Sequence, residues 1–212
     1  YTGTGSAGTI KHGLSTAPLI TLIKSRTSST NWNFLTYQID GSCDELALNL
    51  SSEGKTDRSI TAPTSSVFSV DTATDRNGSG VNFIAYCFSE KQSYSKFGSY
   101  EGNNNINGTF IYLGFKPAFL IIRSIDNGRN WMMYDNKRGL INVNDETLYP
   151  NADSAEVSPD NYNGIDFLSN GFKLRGGSSG VGNDTNGAET YLYMAFAENP
   201  FVASNFNPAT AR

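Results

Sequence analysis

The residues of this chain that could do chemistry are carboxylates and aromatics rather than nucleophiles or bases. Glu90 and Glu198 close two similar apolar runs, and Asp40, Asp44 and Glu45 cluster after Tyr37. Glycoside hydrolysis needs two carboxylates about 5–10 Å apart across a cleft, whereas Asp and Glu at strand ends more often satisfy backbone donors or solvate a turn. Asp40-Gly-Ser-Cys-Asp44-Glu45 offers oxygens to a cation but lacks the twelve-residue pattern of a Ca²⁺ loop. His12 is the single histidine and no Cys pair has finger spacing, so neither a metal-ligand set nor a Ser-His-Asp triad forms on inventory. Gly176-Gly-Ser-Ser-Gly-Val-Gly182 has the glycine content of a phosphate loop without its Lys-Ser/Thr or a following helix. The expectation is a non-enzymatic chain with no catalytic residue, no metal and no cofactor.

Binding chemistry is better represented. Trp32 and Trp131, each preceded by Asn, are the first candidates for a sugar platform, because an exposed indole face packs against a pyranose ring. Their recurrence at matching positions favours a place in the fold instead. The loops 51–64, 71–80, 151–163 and 175–187 are polar and rich in Asn and Ser, suited to hydrogen-bonding sugar hydroxyls, and Tyr149, Tyr162 and Arg175 add stacking and charge. These three with Trp32 and Trp131 form the candidate ligand-binding set. Asn49, Asn77, Asn107 and Asn183 lie in Asn-X-Ser/Thr sequons, which matter only in a eukaryotic secretory route.

The elements that must position these residues follow from a repeat. Thr109–Arg123 and the earlier Thr9–Lys24 share the order Thr, apolar residue, Gly, apolar residue, Pro, dense apolar run and terminal base. Gly13 and Gly114 mark a bend or bulge, Pro18 and Pro117 a strand start, and the apolar runs that follow need cover on both faces. Pro18 and Trp32 stand 99 residues before Pro117 and Trp131, while Phe88 stands 108 before Phe196, so the extra residues belong in loops. Strands are expected at 8–13, 18–25, 31–37, 45–50, 66–70 and 81–90, and again at 108–114, 117–124, 130–135, 146–149, 171–175 and 189–198. Turn chemistry at Asp40-Gly41, Asn77-Gly78 and Asp126-Asn127-Gly128 punctuates them. In the last strand of each set, Ile84, Tyr86 and Phe88, with Leu192, Met194 and Phe196, are expected to face the interior, and Cys87 and Ala195 the other side.

This predicts an all-β fold of two tandem antiparallel β-sandwich, jelly-roll-like modules related by an internal repeat: residues 1–93, a short linker at 94–99, residues 100–203, and a tail at 204–212. Because the connector leads into Tyr100 and the chain opens on the matching Tyr1, a further unit is expected to precede it. Composition agrees, with 12% aromatic and only 17% charged residues in 212. A net charge of −4 without basic runs speaks against nucleic acid, and no apolar run approaches a bilayer span, so no membrane insertion is expected. Cys43 and Cys87 are expected to be unpaired thiols.

The runs Phe83-Ile-Ala-Tyr-Cys-Phe-Ser-Glu, Tyr94-Ser-Lys-Phe-Gly-Ser-Tyr, Gly114-Phe-Lys-Pro-Ala-Phe-Leu-Ile-Ile-Arg, Asn130-Trp-Met-Met-Tyr-Asp, Asp166-Phe-Leu-Ser-Asn-Gly-Phe-Lys-Leu-Arg and Tyr193-Met-Ala-Phe-Ala-Glu carry a resemblance. Together they resemble a repeated β-rich domain of uncharacterised function found in tail-fibre and other structural proteins of tailed, especially marine, bacteriophages. The resemblance implies a virion component, a fibre or appendage module acting in host-surface recognition of glycan or protein, or alternatively a decorating spacer without ligand; a glycan depolymerase is the rival from another class. Its partners would be other virion proteins, further repeats of the same polypeptide and a host-surface glycan. Fibres are commonly homotrimers, but this chain has no heptads, so such symmetry would come from neighbouring regions.

Overall fold

The computed structural model describes residues 1–51, 54–139, 141–157, 164–176, 183 and 189–199. It is all-β, with every strand pairing antiparallel, and it divides into two compact units, Tyr1–Glu90 and Lys91–Arg212. The tail expected at 204–212 lies outside the described residues.

The first unit carries β1 (Gly8–Lys11), β2 (Ile20–Ser25), β3 (Asn33–Thr36), β4 (Cys43–Ala47), β5 (Thr56–Arg58), β6 (Val67–Val70), the single helical turn α1 (Thr74–Asn77) and β7 (Phe83–Phe88). They form a five-stranded sheet in the order β5-β4-β3-β2-β7 and a two-stranded sheet β1-β6. Ile23, Leu35, Cys43 and Phe83 from the larger sheet meet Phe68 and Val70 of the smaller one in one buried cluster, β-sandwich-like in its layering. The apolar run of β2 is central, with Ile20 and Ile23 fully buried.

The second unit carries β8 (Ser95–Glu101), β9 (Phe110–Tyr112), β10 (Pro117–Ser124), β11 (Met132–Asp135), β12 (Ile165–Leu168), β13 (Gly171–Leu174) and β14 (Thr190–Ala197). Its sheets run β11-β10-β14-β8 and β12-β13-β9. Leu120, Ile122, Tyr134, Tyr191 and Tyr193 pack against Ile111, Phe172 and Leu174. Gly13 and Gly114 follow β1 and β9 at φ 77° and 81°, a backbone conformation that a side chain disfavours.

Ladder registers agree between the units residue by residue. Ile20 pairs Phe88, Ile23 pairs Ala85 and Ser25 pairs Phe83, while Phe119 pairs Phe196, Ile122 pairs Tyr193 and Ser124 pairs Tyr191. Tyr1 stacks on Phe83 with ring centres 5.3 Å apart and meets Phe68 edge-on; Tyr100 stacks on Tyr191 at 5.5 Å and meets Phe172 edge-on. The buried Asn77 side chain accepts from Thr4 N–H at 3.0 Å and donates to the carbonyls of Ser6 and Asp71, both at 2.7 Å. Buried Asn183 accepts from Asn103 N–H at 3.0 Å and donates to the carbonyls of Asn105 and Gly176 at 2.8 and 2.6 Å. Asn49 accepts from Trp32 N–H and donates to Asn31, and Asn151 does the same between Trp131 and Asn130.

Several expectations are corrected. Residues 94–99 are not a linker: Ser95–Glu101 is an edge strand paired along β14, because its alternation survives the interruption by Gly98. In β7 the interior face is the opposite one: Phe83, Ala85 and Cys87 join the core, while Ile84 and Tyr86 are 36% and 45% exposed. In β14 both faces are buried, Tyr191, Tyr193 and Ala195 in the core cluster and Leu192 and Met194 on the other side. Both parities are apolar there, so alternation could not choose between them. Strands β5 and β12 were missed for their polar or short sequences, and 146–149 forms only isolated bridges, Met133 with Leu148 and Thr147 with Val157. The repeat order suggests Tyr112 as the mate of His12, but Ile10 pairs Phe68 as Ile111 pairs Phe172, which aligns His12 with Leu113. Cys43 and Cys87 are both free and face one core, but β3 and β2 lie between them, a separation of about 14 Å, beyond disulfide reach.

Replacing Asn77 by Ala strands two carbonyls and one N–H and should cost about 2–3 kcal/mol of stability, read as a lower urea midpoint. Asn77→Asp, which sets a buried carboxylate oxygen against the two carbonyls that the amide donates to, should cost at least as much as Asn77→Ala.

Candidate functional site

Two of the polar loops meet in the first unit around a cavity of about 150 Å³. The β4 residues Glu45 and Ala47, the β5 residues Thr56 and Arg58, Asn31 before β3 and Asp75 of α1 line it. The 51–64 loop thus supplies Thr56 and Arg58, and the 71–80 loop supplies Asp75. An apolar cavity of this size accepts one benzene-sized ring; this one is walled mainly by amide, hydroxyl, carboxylate and guanidinium groups.

The electrostatics are set by Arg76, whose side chain is 1% exposed. It forks onto Asp71 with two bonds of 2.8 Å, reaches Glu45 Oε2 at 2.9 Å and Asp75 Oδ1 at 3.3 Å. Arg58 Nε donates to the same Glu45 oxygen. Burial alone would lower the Arg76 pKa, but the bond to Asp71 and the charges of Glu45 and Asp75 outweigh it and raise it. Burial likewise opposes ionisation of Asp71, and the bonds from Arg76 and the Ala73 N–H hold its carboxyl below the usual range. Glu45 and Asp75 both touch one guanidinium nitrogen, so two carboxylates share one small cavity, each held by charge-assisted hydrogen bonds.

A second carboxylate group stands beside β4 and β5. Asp40, Asp44 and Asp57 converge as three cation ligands would, and the Lys55 ammonium lies among them at 2.9, 2.7 and 2.7 Å. Burial pushes Asp44 up, while Ser42 and Lys55 hold Asp40 down and Lys55 holds Asp57 down. The ammonium occupies the position a metal would take. The run weighed as a Ca²⁺ loop therefore splits, with Asp40 and Asp44 on Lys55 and Glu45 on the two arginines.

In the second unit, Glu189 is buried and accepts from Ser124 Oγ at 2.5 Å, Tyr191 Oη at 2.7 Å, Asn127 Nδ2 at 3.2 Å and Arg129 Nε at 3.3 Å. Burial would raise its pKa, and these donors together lower it. Glu198 is tied to Lys116 at 2.9 Å and to Asn136 Nδ2 at 2.9 Å, beside a cavity of about 240 Å³ that Asn142 and Asn144 also line.

Four of the five residues singled out from sequence lie among the described residues, and each is engaged within its own unit. Trp131 is 1% exposed, beneath Arg123 with the guanidinium 5.9 Å from the indole centre, so it has no face to offer a sugar. Trp32 is half-buried and stacks on Tyr86 at 6.2 Å. Tyr149 packs partly buried against the core, Arg175 pairs with Asp166 at 2.5 Å, and Tyr162 lies outside the described residues. His12 is fully engaged: Nδ1 accepts from Leu14 N–H, leaving Nε2–H to donate to the Thr64 carbonyl.

Sequence reading missed Arg76, Lys55 and Glu189, each of which joins near neighbours to at least one distant partner: Glu45, Asp40 and Ser124 respectively. Asn49, Asn77 and Asn183 did carry a signal, since three of the four sequon asparagines prove to be side-chain clamps. The fold and these sites define a β-rich protein with polar, charge-compensated cavities. The chain belongs to the family described as Domain of unknown function (DUF7483), whose model matches residues 1–200 and so spans both units. No curated protein and no solved structure matches it. Among the described residues no helix is long and apolar enough to cross a membrane.

Because the folded pKa of Glu189 is depressed, its stabilisation is present above the ordinary carboxylate range and is lost as pH falls through the folded value. Glu189→Gln should lower the urea midpoint clearly at pH 7. The difference from wild type should shrink as pH falls below about 4; an undiminished difference at pH 3 would contradict the assignment.

Proposed function

We propose that the chain is a pair of like β-sandwich modules from a structural protein of a bacteriophage tail fibre or appendage, displayed on the virion surface, and that the polar cavity of the first module takes a saccharide of the host surface. The observation that carries the recognition role is the meeting of the 51–64 and 71–80 loops on Glu45, Arg58, Asp75, Asn31 and Thr56. Saccharide recognition uses planar amides, carboxylates and guanidinium donors to hold neighbouring hydroxyls, and a ring of that size matches the cavity. What supports the modular reading is the agreement of ladder pairs, the aromatic trios around Tyr1 and Tyr100, and the asparagine clamps at Asn77 and Asn183. The viral setting rests on the motif resemblance described from the sequence.

A spacer without ligand is favoured by one observation: the aromatic platforms expected at Trp131 and Tyr149 are consumed in packing. The depolymerase reading would have to use Glu45 and Asp75, which already serve Arg76.

Binding to an array of bacterial surface saccharides and to host cells tests the proposal. Wild type should bind, and Arg58→Ala or Thr56→Val, neither of which removes a partner of Arg76, should weaken binding about tenfold for loss of one hydrogen bond. Absence of binding would leave the spacer, and release of reducing sugar would establish the enzyme.

A further inference from the structure

Strand β7 ends the five-stranded sheet, bonded to β2 on one side. On its other side a short ladder pairs residues 81–83 with residues 1–3. Phe83 N–H donates to the Tyr1 carbonyl at 2.8 Å, the Tyr1 ammonium donates back to the Phe83 carbonyl at 3.0 Å, and Thr2 bridges Asn82. In an antiparallel strand, alternate residues direct their backbone groups to the same side. The N–H and C=O of Ala85 and Cys87 therefore face the edge that Phe83 faces, and among the described residues no strand lies there.

In the second unit the corresponding edge is covered. Tyr100 pairs Tyr191 as Tyr1 pairs Phe83, and the ladder then continues through Ser99–Leu192, Gly98–Tyr193, Phe97–Met194, Lys96–Ala195 and Ser95–Phe196. Lys96 reaches across to the other sheet, its ammonium donating to the Tyr112 carbonyl at 2.9 Å and lying 5.4 Å from the Tyr112 ring centre.

A cavity of about 390 Å³ opens beside β7, lined by Tyr1, Ile10, His12, Phe68, Ala85 and Cys87 among others. Its size has a local cause. Tyr193 fills the second core so closely that a Cβ at Gly98 would lie 3.0 Å from its hydroxyl. In the first unit the small Ala85 takes the place of Tyr193 and leaves that volume open.

We propose that the β7 edge is an acceptor for an extended polypeptide strand lying in line with Tyr1 and antiparallel to β7, with a bulky apolar residue opposite Ala85. The strand continues the Tyr1–Phe83 ladder, satisfies the four backbone groups of Ala85 and Cys87, and its apolar side chain fills the cavity as Tyr193 fills its counterpart. An uncovered edge with Ile84 and Tyr86 exposed beside it would otherwise invite edge-to-edge association. Strands that add to an open edge gain affinity from main-chain bonds and specificity from side-chain pockets. This inference rests on reading the two units as like modules and is independent of saccharide binding.

The test joins Ser-Lys-Phe-Phe-Ser to Tyr1, the sequence of residues 95–99 with Phe in the position of Gly98. Controls carry the unaltered Ser-Lys-Phe-Gly-Ser and a Ser-Pro-Phe-Pro-Ser that cannot form the ladder. Amide exchange at Ala85 and Cys87 and alkylation of the Cys87 thiol, located by mass spectrometry, are compared with the chain starting at Tyr1. The Phe-bearing extension should slow both by about tenfold or more, as a closed ladder protects its amides. It should also raise the thermal midpoint above that of the Gly-bearing extension, while the Pro-bearing extension changes neither. Equal exchange and alkylation with the Phe- and Pro-bearing extensions would overturn the inference. The Ala195 amide, opposite Lys96, serves as internal reference: if it too exchanges freely, the covered edge and with it the like-module reading fail, whereas a protected Ala195 beside a freely exchanging Ala85 overturns the strand acceptor alone.

Discussion

The segments 4–6 and 103–105, which lead into β1 and β9, have no full ladder to hold them, and one buried asparagine in each unit supplies bonds instead. Asn77 joins 4–6 to Asp71, and Asn183 joins 103–105 to Gly176, each through three side-chain bonds. An amide can do this because it donates twice and accepts through the same planar group. Closing this corner seats Tyr1 and Tyr100 against their aromatic neighbours, which in turn caps the core between the two sheets. The rest of each sheet can grow from the central strands β2 and β10, but the sandwich closes only when its first segment is fixed.

Charge obeys the same economy of satisfied groups. Arg76 and Glu189 are buried ions, which are costly unless hydrogen-bonded on every side, and each has several partners. Lys55 neutralises three converging carboxylates that would otherwise repel. Ionic groups so committed form fixed hydrogen-bonding walls, and the recognition role proposed for the first cavity draws on them.

Much of the strand inventory was legible because central strands announce themselves: Leu19–Ile23 and Ala118–Ile122 are apolar on both faces, and the offsets of 99 and 108 read from Pro18, Trp32 and Phe88 reappear in the ladder pairs. Parity in β7 was illegible, since Phe83, Ala85 and Cys87 are as apolar as Ile84, Tyr86 and Phe88 and only the opposing sheet decides between them. Strand β8 reads as a linker because it joins the two repeats; its Gly98 instead lies close against Tyr193 across the ladder, where a Cβ would crowd the hydroxyl at 3.0 Å. The candidate site was legible only as loops. That 51–64 and 71–80 meet, through Arg58 and Arg76 on the one carboxylate of Glu45, is a fact of three dimensions, and Trp131 and Tyr149 went to the core because large aromatics fill volume before they serve a surface.

The claim on which the rest depends is that each unit closes on itself through its own clamp. Residues 91–212 produced alone and examined by nitrogen-resolved NMR test it most directly. The account predicts a dispersed spectrum in which the Asn183 side-chain amide protons exchange slowly with solvent. A collapsed, unfolded spectrum, or an Asn183 amide that exchanges as fast as a free one, would contradict it.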